Sequence, residues 1–506
     1  MRKNPRFLAS VAAFGLGGIV LAGCSPAAPA TESASNAAIV TDSAAPAVWD
    51  SSELHTIEID YDEADYDSLI STYMTSSEKV WISATVTIDG ETFEDVGLKL
   101  KGNSSLRGLT EDADATVSAA NPEDLPWIIR LDKYVDDQNL DGATEFVVRG
   151  NSSETSLNEA VALDLLSDAG LAAEEAIAVS FSANDSESAL RLVIENPNDE
   201  WMERELGDGY LWKAESPGTW DYVGDEPESY MEAFDQEGGE DNYEPLIDFL
   251  QFINESDDAT FGSDLDQWLD VDSFATYLAY QNVIDNFDDI DGPGNNSYLY
   301  WDTDDEQMTV VNWDLNLAFG QENIDAGGGN TAEAGRGAAV PGADAAAGAD
   351  AEAGALPGAD AQAGQAGGRP DRGALPDGAE LPDGAALPDA GELPEGALPP
   401  QGAELPDDAA LAEGADAQAG LGNRNAGGGG GAGGSNILSE RFLANADFKA
   451  MYDAAVEELT ASLFESGTAQ ASLDTWTSLL NSSAADLVDP EVVATESQIL
   501  AEKFTS

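Results

Sequence analysis

From residue 323 to residue 435 the chain has no aromatic side chain, and only Ile324, Thr331 and Val340 are β-branched. Gly, Ala, Pro and Asp dominate, and within the stretch "ALPDGAELPDGAALPDAGELPEGALPPQGAELPDDAAL" repeats on a period near six. Glycine does not recur at every third position, which excludes a collagen triple helix. A segment of this composition buries too little apolar surface to offset the entropy of ordering it. It is expected to be a disordered, acidic insert. Whatever folds must then be assembled from sequence on both sides of it.

Upstream, "LHTIEIDY" alternates as a strand, and "VWISATVTIDGETFEDVGLKLKG" reads as two strands joined at Asp89-Gly90. "LPWIIRLDKY", "GATEFVVRGN", "AIAVSFSAN", "SALRLVIEN" and "GYLWKAES" add strands. "SLNEAVALDLLSDAG" is a helix, with Ser156 and Glu159 in capping-box spacing and Gly170 at its end. Helical patterns run from "YEPLIDFLQFIN" to "DSFATYLAYQNVIDNF", then strands "SYLYW" and "MTVVNWD". After the insert, "NILSERFLANADFKAMYDAAVEELTASLF" is helical, and further helical segments run to the C-terminus. The pattern is α+β, one domain over 53–322 continued by 436–506.

The 506-residue chain has a net charge of −78, from 20 Lys and Arg against 98 Asp and Glu. Such a surface repels nucleic acid and attracts cationic partners, so nucleic acid is excluded as a partner and a protein partner is expected to be cationic. Cys24 and His55 are the only cysteine and histidine. No Cys/His zinc site and no internal disulfide can be built, which leaves carboxylates, cations, amides or a hard metal ion to carry chemistry. His55 is expected at the surface. "MRKNPRFLASVAAFGLGGIVLAGC" resembles a lipoprotein signal peptide over 1–23, with Cys24 lipidated. The Ala/Ser/Pro-rich residues 24–52 then read as a flexible tether, and the expected location is extracytoplasmic, anchored to the membrane by lipid.

Between the last two strands and the helix before them, "NFDDIDGPGNNSYLYWDTDDEQMTVVNWDLNLAFG" gathers Asp288, Asp289, Asp291, Asn295, Asn296 and Asp314. Repulsion among these acids is relieved if a cation is shared. An EF-hand is excluded. With Gly292 in the glycine position, Phe287 and Tyr298 occupy ligand positions; in "DTDDEQ", Gln307 replaces the glycine and Trp313 the terminal acid. Phosphoryl transfer fits better. It needs a carboxylate for the attacking hydroxyl, and an Asp plus an amide to hold Mg²⁺ on the phosphates, set on a loop, a β-hairpin and the residue after it. Asp288, Asn296 and Asp314 fall in that order. Asp289, Asp291 and Asn295 can instead shape the Gly-Pro-Gly turn.

These residues, with "VGLKLKGNSS", "PWIIRLDKY", "LRLVIE", "LWKAE" and "LSERFLANADFKAMYDAAVEEL", resemble the CotH family of atypical kinase-like proteins. The resemblance implies a two-lobed kinase-like fold and ATP- and Mg²⁺-dependent transfer of phosphate to Ser or Thr of a protein. It also implies Asp288 as the catalytic carboxylate, with Asn296 and Asp314 on the metal. The family's "WDxD" reads "WDLN" here, with Asn316 in the last place. Where many members carry a Lys before "PW", this chain has Leu125, which leaves Arg130 as the nearest cation on that strand. Lys99, Lys101 and Arg107, beside "GNSS", read either as a phosphate cradle or as a solvated strand face. Glu195 and Lys213 read either as ligand contacts or as a buried ion pair. Glu159 is expected to serve the helix cap. A catalytically weak kinase-like module used for envelope adhesion or structure is the alternative reading, and a metal-binding scaffold without nucleotide is a third.

Overall fold

The computed structural model describes residues 45–321 and 436–505, apart from positions 103, 114, 116, 151, 216–217 and 292–294. Cys24 with its signal peptide, most of the tether and the insert from 323 to 435 lie outside the described residues.

Seven strands close a barrel: β1 (Leu54–Tyr61), β2 (Ile82–Ile88), β3 (Glu91–Leu100), β4 (Trp127–Arg130), β5 (Glu145–Val148), β6 (Ala176–Ala183) and β7 (Ala189–Ile194). The order is β1-β2-β3-β4-β5-β7-β6, and β6 returns to pair parallel with β1. Helix α1 (Glu63–Ser76) joins β1 to β2, and α2 (Leu157–Asp168) joins β5 to β6. Strand alternation fills the interior with Ile57, Ile59, Val86, Leu98, Leu100, Trp127, Ile129, Phe146 and Val148. The β2–β3 hairpin turns at Asp89 and Gly90, both at positive φ (47° and 85°), as the Asp-Gly pair predicts. His55 is buried rather than at the surface. Its Nδ1 lies 2.7 Å from the Asp89 carboxylate and its Nε2 2.9 Å from the Asp50 carbonyl, so each ring nitrogen has a polar neighbour where the ring is covered.

After α3 (Asp199–Glu205), a second sheet is built from β8 (Gly209–Ala214), β9 (Phe234–Gly238), β10 (Ser297–Asp302) and β11 (Gln307–Asn312), in the order β11-β10-β8-β9. Between β9 and β10 run α4 (Glu244–Glu255), α5 (Asp258–Asp264) and α6 (Val271–Val283). The chain after the insert supplies α7 (Ile437–Ala444), α8 (Ala446–Leu459), α9 (Thr468–Ser483) and α10 (Pro490–Lys503). Among the described residues no helix is long and apolar enough to cross a membrane.

Helix α2 is the hub. Leu157, Ala160, Val161, Leu165 and Leu166 pack with Val147, Ala178, Leu192 and Ile194 on the outside of the barrel, with Tyr298 and Val311 of the second sheet, and with α9 and α10. Apolar on nearly every side, it is a buried helix rather than a surface one. The expected α+β organisation holds in this packing. Closure into a barrel adds a feature that the strand patterns did not specify.

Candidate functional site

Because Phe146 and Val148 point into the barrel, Glu145, Val147 and Arg149 point out, toward α2 and the second sheet. Arg149, its side chain 11% exposed, bridges two carboxylates. Its Nε donates to Glu159 Oε2 at 3.1 Å with Nη2 2.8 Å from Oε1, and Nη2 also donates to Asp314 Oδ1. Burial alone would lower the Arg149 pKa, but Asp314 and Glu159 more than offset it and raise it. Asp314 follows β11 at φ +64°, a left-handed conformation that a carboxylate residue tolerates better than most. Glu159 therefore belongs to this bridge and not to a capping box. Ser156, at the N-cap, makes no side-chain bond to the helix.

Sequence reasoning passed over Arg149, yet a signal existed. "KGNSS" at 101–105 recurs as "RGNSS" at 149–153. Lys101 leaves β3 and Arg149 leaves β5, on either side of β4, and both cations stand over the Trp313 ring, at 5.1 and 5.9 Å. The two loops pack closely. Ser105 fills the space that side chains on Gly102 or Gly150 would occupy.

Lys101 Nζ donates to Asn196 Oδ1 (2.6 Å), and Asn196 Nδ2 to Glu145 Oε2 (2.8 Å). Burial, and then the Lys213 charge, lower the Lys101 pKa. Lys213, on β8, pairs with Glu215. The structure thus brings Lys101, Lys213, Arg149 and Asp314 to one region between the barrel wall and the second sheet. The other expected cofactor contacts lie elsewhere or are engaged. Lys99 lies 4.6 Å over the Trp81 ring, shared with Lys133. Arg130 pairs with Asp132 at 2.8 Å and faces Glu145 at 3.5 Å. Arg107 is exposed. Glu195 receives Arg204 through both oxygens, at 2.8 and 2.6 Å, and the Glu175 amide at 2.9 Å, a buried ion pair rather than a contact in this region. Leu125, which stands in the place of the Lys before "PW", is buried in the barrel core.

The acid cluster divides by role. Asn296 Nδ2 donates to the Asp288 carbonyl (2.9 Å) and to Asp288 Oδ2 (3.1 Å), so these two expected site residues are adjacent. Since Ser297 pairs with Asn312, the two-residue step to Asp314 keeps it at the same end of the β10–β11 hairpin. Buried amides tie the loop to that strand: Asn286 Nδ2 to Gln281 Oε1 (2.8 Å), and Gln281 Nε2 to Asn312 Oδ1 (2.5 Å). Asp289 accepts the Asp291 amide (2.9 Å), a turn-shaping bond. Asp291 instead accepts the Asn436 amide (2.7 Å) and the Ser439 hydroxyl (2.5 Å), fixing the start of α7. Asn295, at φ +52°, accepts Trp220 Nε1 (2.9 Å).

Among the described residues, no three His, Cys, Asp or Glu side chains gather around one point. Mg²⁺ does not require such a cage, since it commonly takes one or two carboxylates and completes its shell with water and phosphate oxygens. The Asp314 carboxylate, oriented by Arg149 through Oδ1, and the Asn296 amide oxygen are hard donors of that kind.

Behind Arg149 lies Glu174, 3% exposed, with neither carboxylate oxygen meeting a donor from another residue. Burial, reinforced by Glu195 and Glu159, pushes its pKa from 4.5 up to about 8. Between those values the unfolded chain has released this proton while the folded chain retains it, so the group's contribution to stability falls as pH rises through the window. Glu174→Gln is expected to melt higher than the parent by roughly 5 °C at pH 8 and by little at pH 4. Melting curves across pH check this, and a gain that does not grow with pH would refute a neutral buried carboxyl.

A family model described as CotH kinase protein matches residues 98–346, a span that holds every cation and acid of the region just described. No curated protein matches the chain.

Proposed function

Taking the CotH kinase domain at residues 98–346 as its premise, we propose that this chain transfers phosphate from ATP to a Ser or Thr hydroxyl of a protein partner. The observation that carries the reading is the joining of Asp288 and Asn296 at the hairpin end that also bears Asp314, with the buried Arg149–Glu159 pair behind it. In kinase-like terms the barrel and the second sheet correspond to two lobes, and Arg149–Glu159 to the strand–helix ion pair that holds the phosphate site in place.

Each residue then has a chemical task. The Asp288 carboxylate accepts the proton of the acceptor hydroxyl, steadied by the amide of Asn296. The hydroxyl oxygen forms its bond to the terminal phosphorus as the bond from that phosphorus to the bridging oxygen breaks, and ADP departs with the electron pair. Asp314 and the Asn296 oxygen would hold Mg²⁺, which would supply neutralisation of charge on the phosphates. Lys101 and Lys213 supply further positive charge, and the depressed pKa of Lys101 makes its charge sensitive to what binds beside it.

Mg-ATP at a hundred times its Kd is expected to stabilise the full chain by about 2.7 kcal/mol, and Asp314→Asn to lose most of that gain. Thermal melts with Mg²⁺, ATP, both and neither make the measurement. If the parent gains nothing from Mg-ATP, the reading fails. A kinase-like binding module without catalysis then takes its place, a view favoured by the Asp314 carboxylate already being satisfied by Arg149.

A further inference from the structure

We infer that Glu496, on the last helix of the chain, is a positioning residue for the Arg149–Asp314 pair. Its functional meaning rests on the phosphoryl-transfer reading; its structural content does not.

Helix α2 starts without a cap of its own. Ser156 stands at φ +52° and its hydroxyl is buried without a partner. Such a start leaves backbone N–H groups that need acceptors. Glu496 of α10, from a distant part of the sequence, holds the two residues that lead into this turn. Its Oε1 accepts the Glu154 amide (3.1 Å), and its Oε2 accepts both the Thr155 amide (3.2 Å) and the Thr155 hydroxyl. Thr155 Oγ1 in turn accepts the Leu157 amide (3.3 Å), which carries the bond into the first turn of the helix. A carboxylate at this end is also favoured by the helix dipole.

The other side of the same turn is held by the segment after Asp314. Ser152 Oγ (3.1 Å) and Asn158 Nδ2 (2.6 Å) both donate to the Asn316 carbonyl. Residues 152–158 are therefore gripped between α10 and the Asp314–Asn316 segment, and the next residue is Glu159, which fixes Arg149. Helix α10 is itself anchored, with Val493 and Leu500 buried and Phe504 packed edge-on to Phe319, five residues past Asp314. A displacement of Glu496 reaches Asp314 by two routes, through Glu159 and through Asn316. Glutamine cannot replace it fully, because its amide group would turn a donor toward a backbone donor.

The test uses the full chain carrying Glu496→Ala, Glu496→Gln or Thr155→Ser. Hydrogen exchange in Glu496→Ala is expected to quicken about tenfold over residues 313–320 as well as over 152–160, and the Kd for Mg-ATP to rise about tenfold. Glu496→Gln should fall between, and Thr155→Ser, which keeps the hydroxyl, should match the parent. If Glu496→Ala does not fold, Thr155→Val, which removes the hydroxyl's bonds to Glu496 and to the Leu157 amide while leaving the Glu496 carboxylate in place, is read in the same way. Faster exchange confined to 152–157 and α10, with Mg-ATP affinity intact, overturns the inference. A parent chain that fails to bind Mg-ATP defeats the phosphoryl-transfer reading, and exchange over 313–320 then decides the positioning claim alone.

Discussion

Arg149→Leu is expected to lower the unfolding free energy by about 3–5 kcal/mol, the range for removing one partner of a buried ion pair. Leucine replaces the volume of the stem but leaves Glu159, with a side chain 3% exposed, facing Asp314 without a cation between them. Two carboxylates so placed cannot both stay ionised, so one takes up a proton and the loss is greater at pH 8 than at pH 5. Arg149→Lys should recover only part of the loss, since an ammonium cannot reproduce the fork that reaches Glu159 through two nitrogens and Asp314 through one. Urea unfolding of the three proteins at both pH values makes the comparison. A loss under about 1 kcal/mol for the leucine variant would place the pair among surface-like contacts and remove Arg149 from the centre of the site.

The second large effect is chemical. Asp288→Asn should reduce phosphate transfer by about a hundredfold or more while the Kd for Mg-ATP stays within about a factor of two. An asparagine can still meet Asn296, but it cannot take up the hydroxyl proton. Asp314→Asn should show the reverse emphasis, with nucleotide binding lost first. Transfer is followed with label on the terminal phosphate of ATP, and binding by calorimetry. An equal fall in Mg-ATP affinity for Asp288→Asn would move Asp288 from proton acceptor to metal ligand.

Much of the local structure was legible because local chemistry determines it. Alternation placed the barrel strands, and Asp89-Gly90 fixed its hairpin through two positive φ angles. Asp288, Asn296 and Asp314 stood out because their spacing on a loop, a hairpin and its end is itself a geometric statement. Three features were hidden for different reasons. The Ser156–Glu159 spacing suits a capping box and equally suits a helix acid aimed at a distant cation, and only the position of Arg149 decides between them. Arg149 was masked by the apolar run "EFVV", and the echo of "KGNSS" in "RGNSS" gains meaning once β3 and β5 are seen to flank β4. The parallel pairing of β1 with β6, which closes the barrel, joins segments more than a hundred residues apart (Leu54 with Ala178) and leaves no trace in either strand alone. Of the two readings open for Glu195, the ion pair holds, with Arg204 as its partner, and Arg130 meets Asp132 two residues on.

Residues 319–320 and Asn436, on either side of residues 322–435, are both fastened to the segment that carries Asp288. The Phe319 and Gly320 amides donate to the Ile284 and Asp285 carbonyls on one side, and the Asn436 amide donates to Asp291 on the other. The place where α7 begins is thus set by Asp291 and not by the length of the covalent link between them. For any flexible connection between two such anchors, doubling the length changes the closure entropy by only about 0.6 kcal/mol. One short stretch, residues 284–291, thus acts as a common rail to which the chain is bolted on either side of residues 322–435.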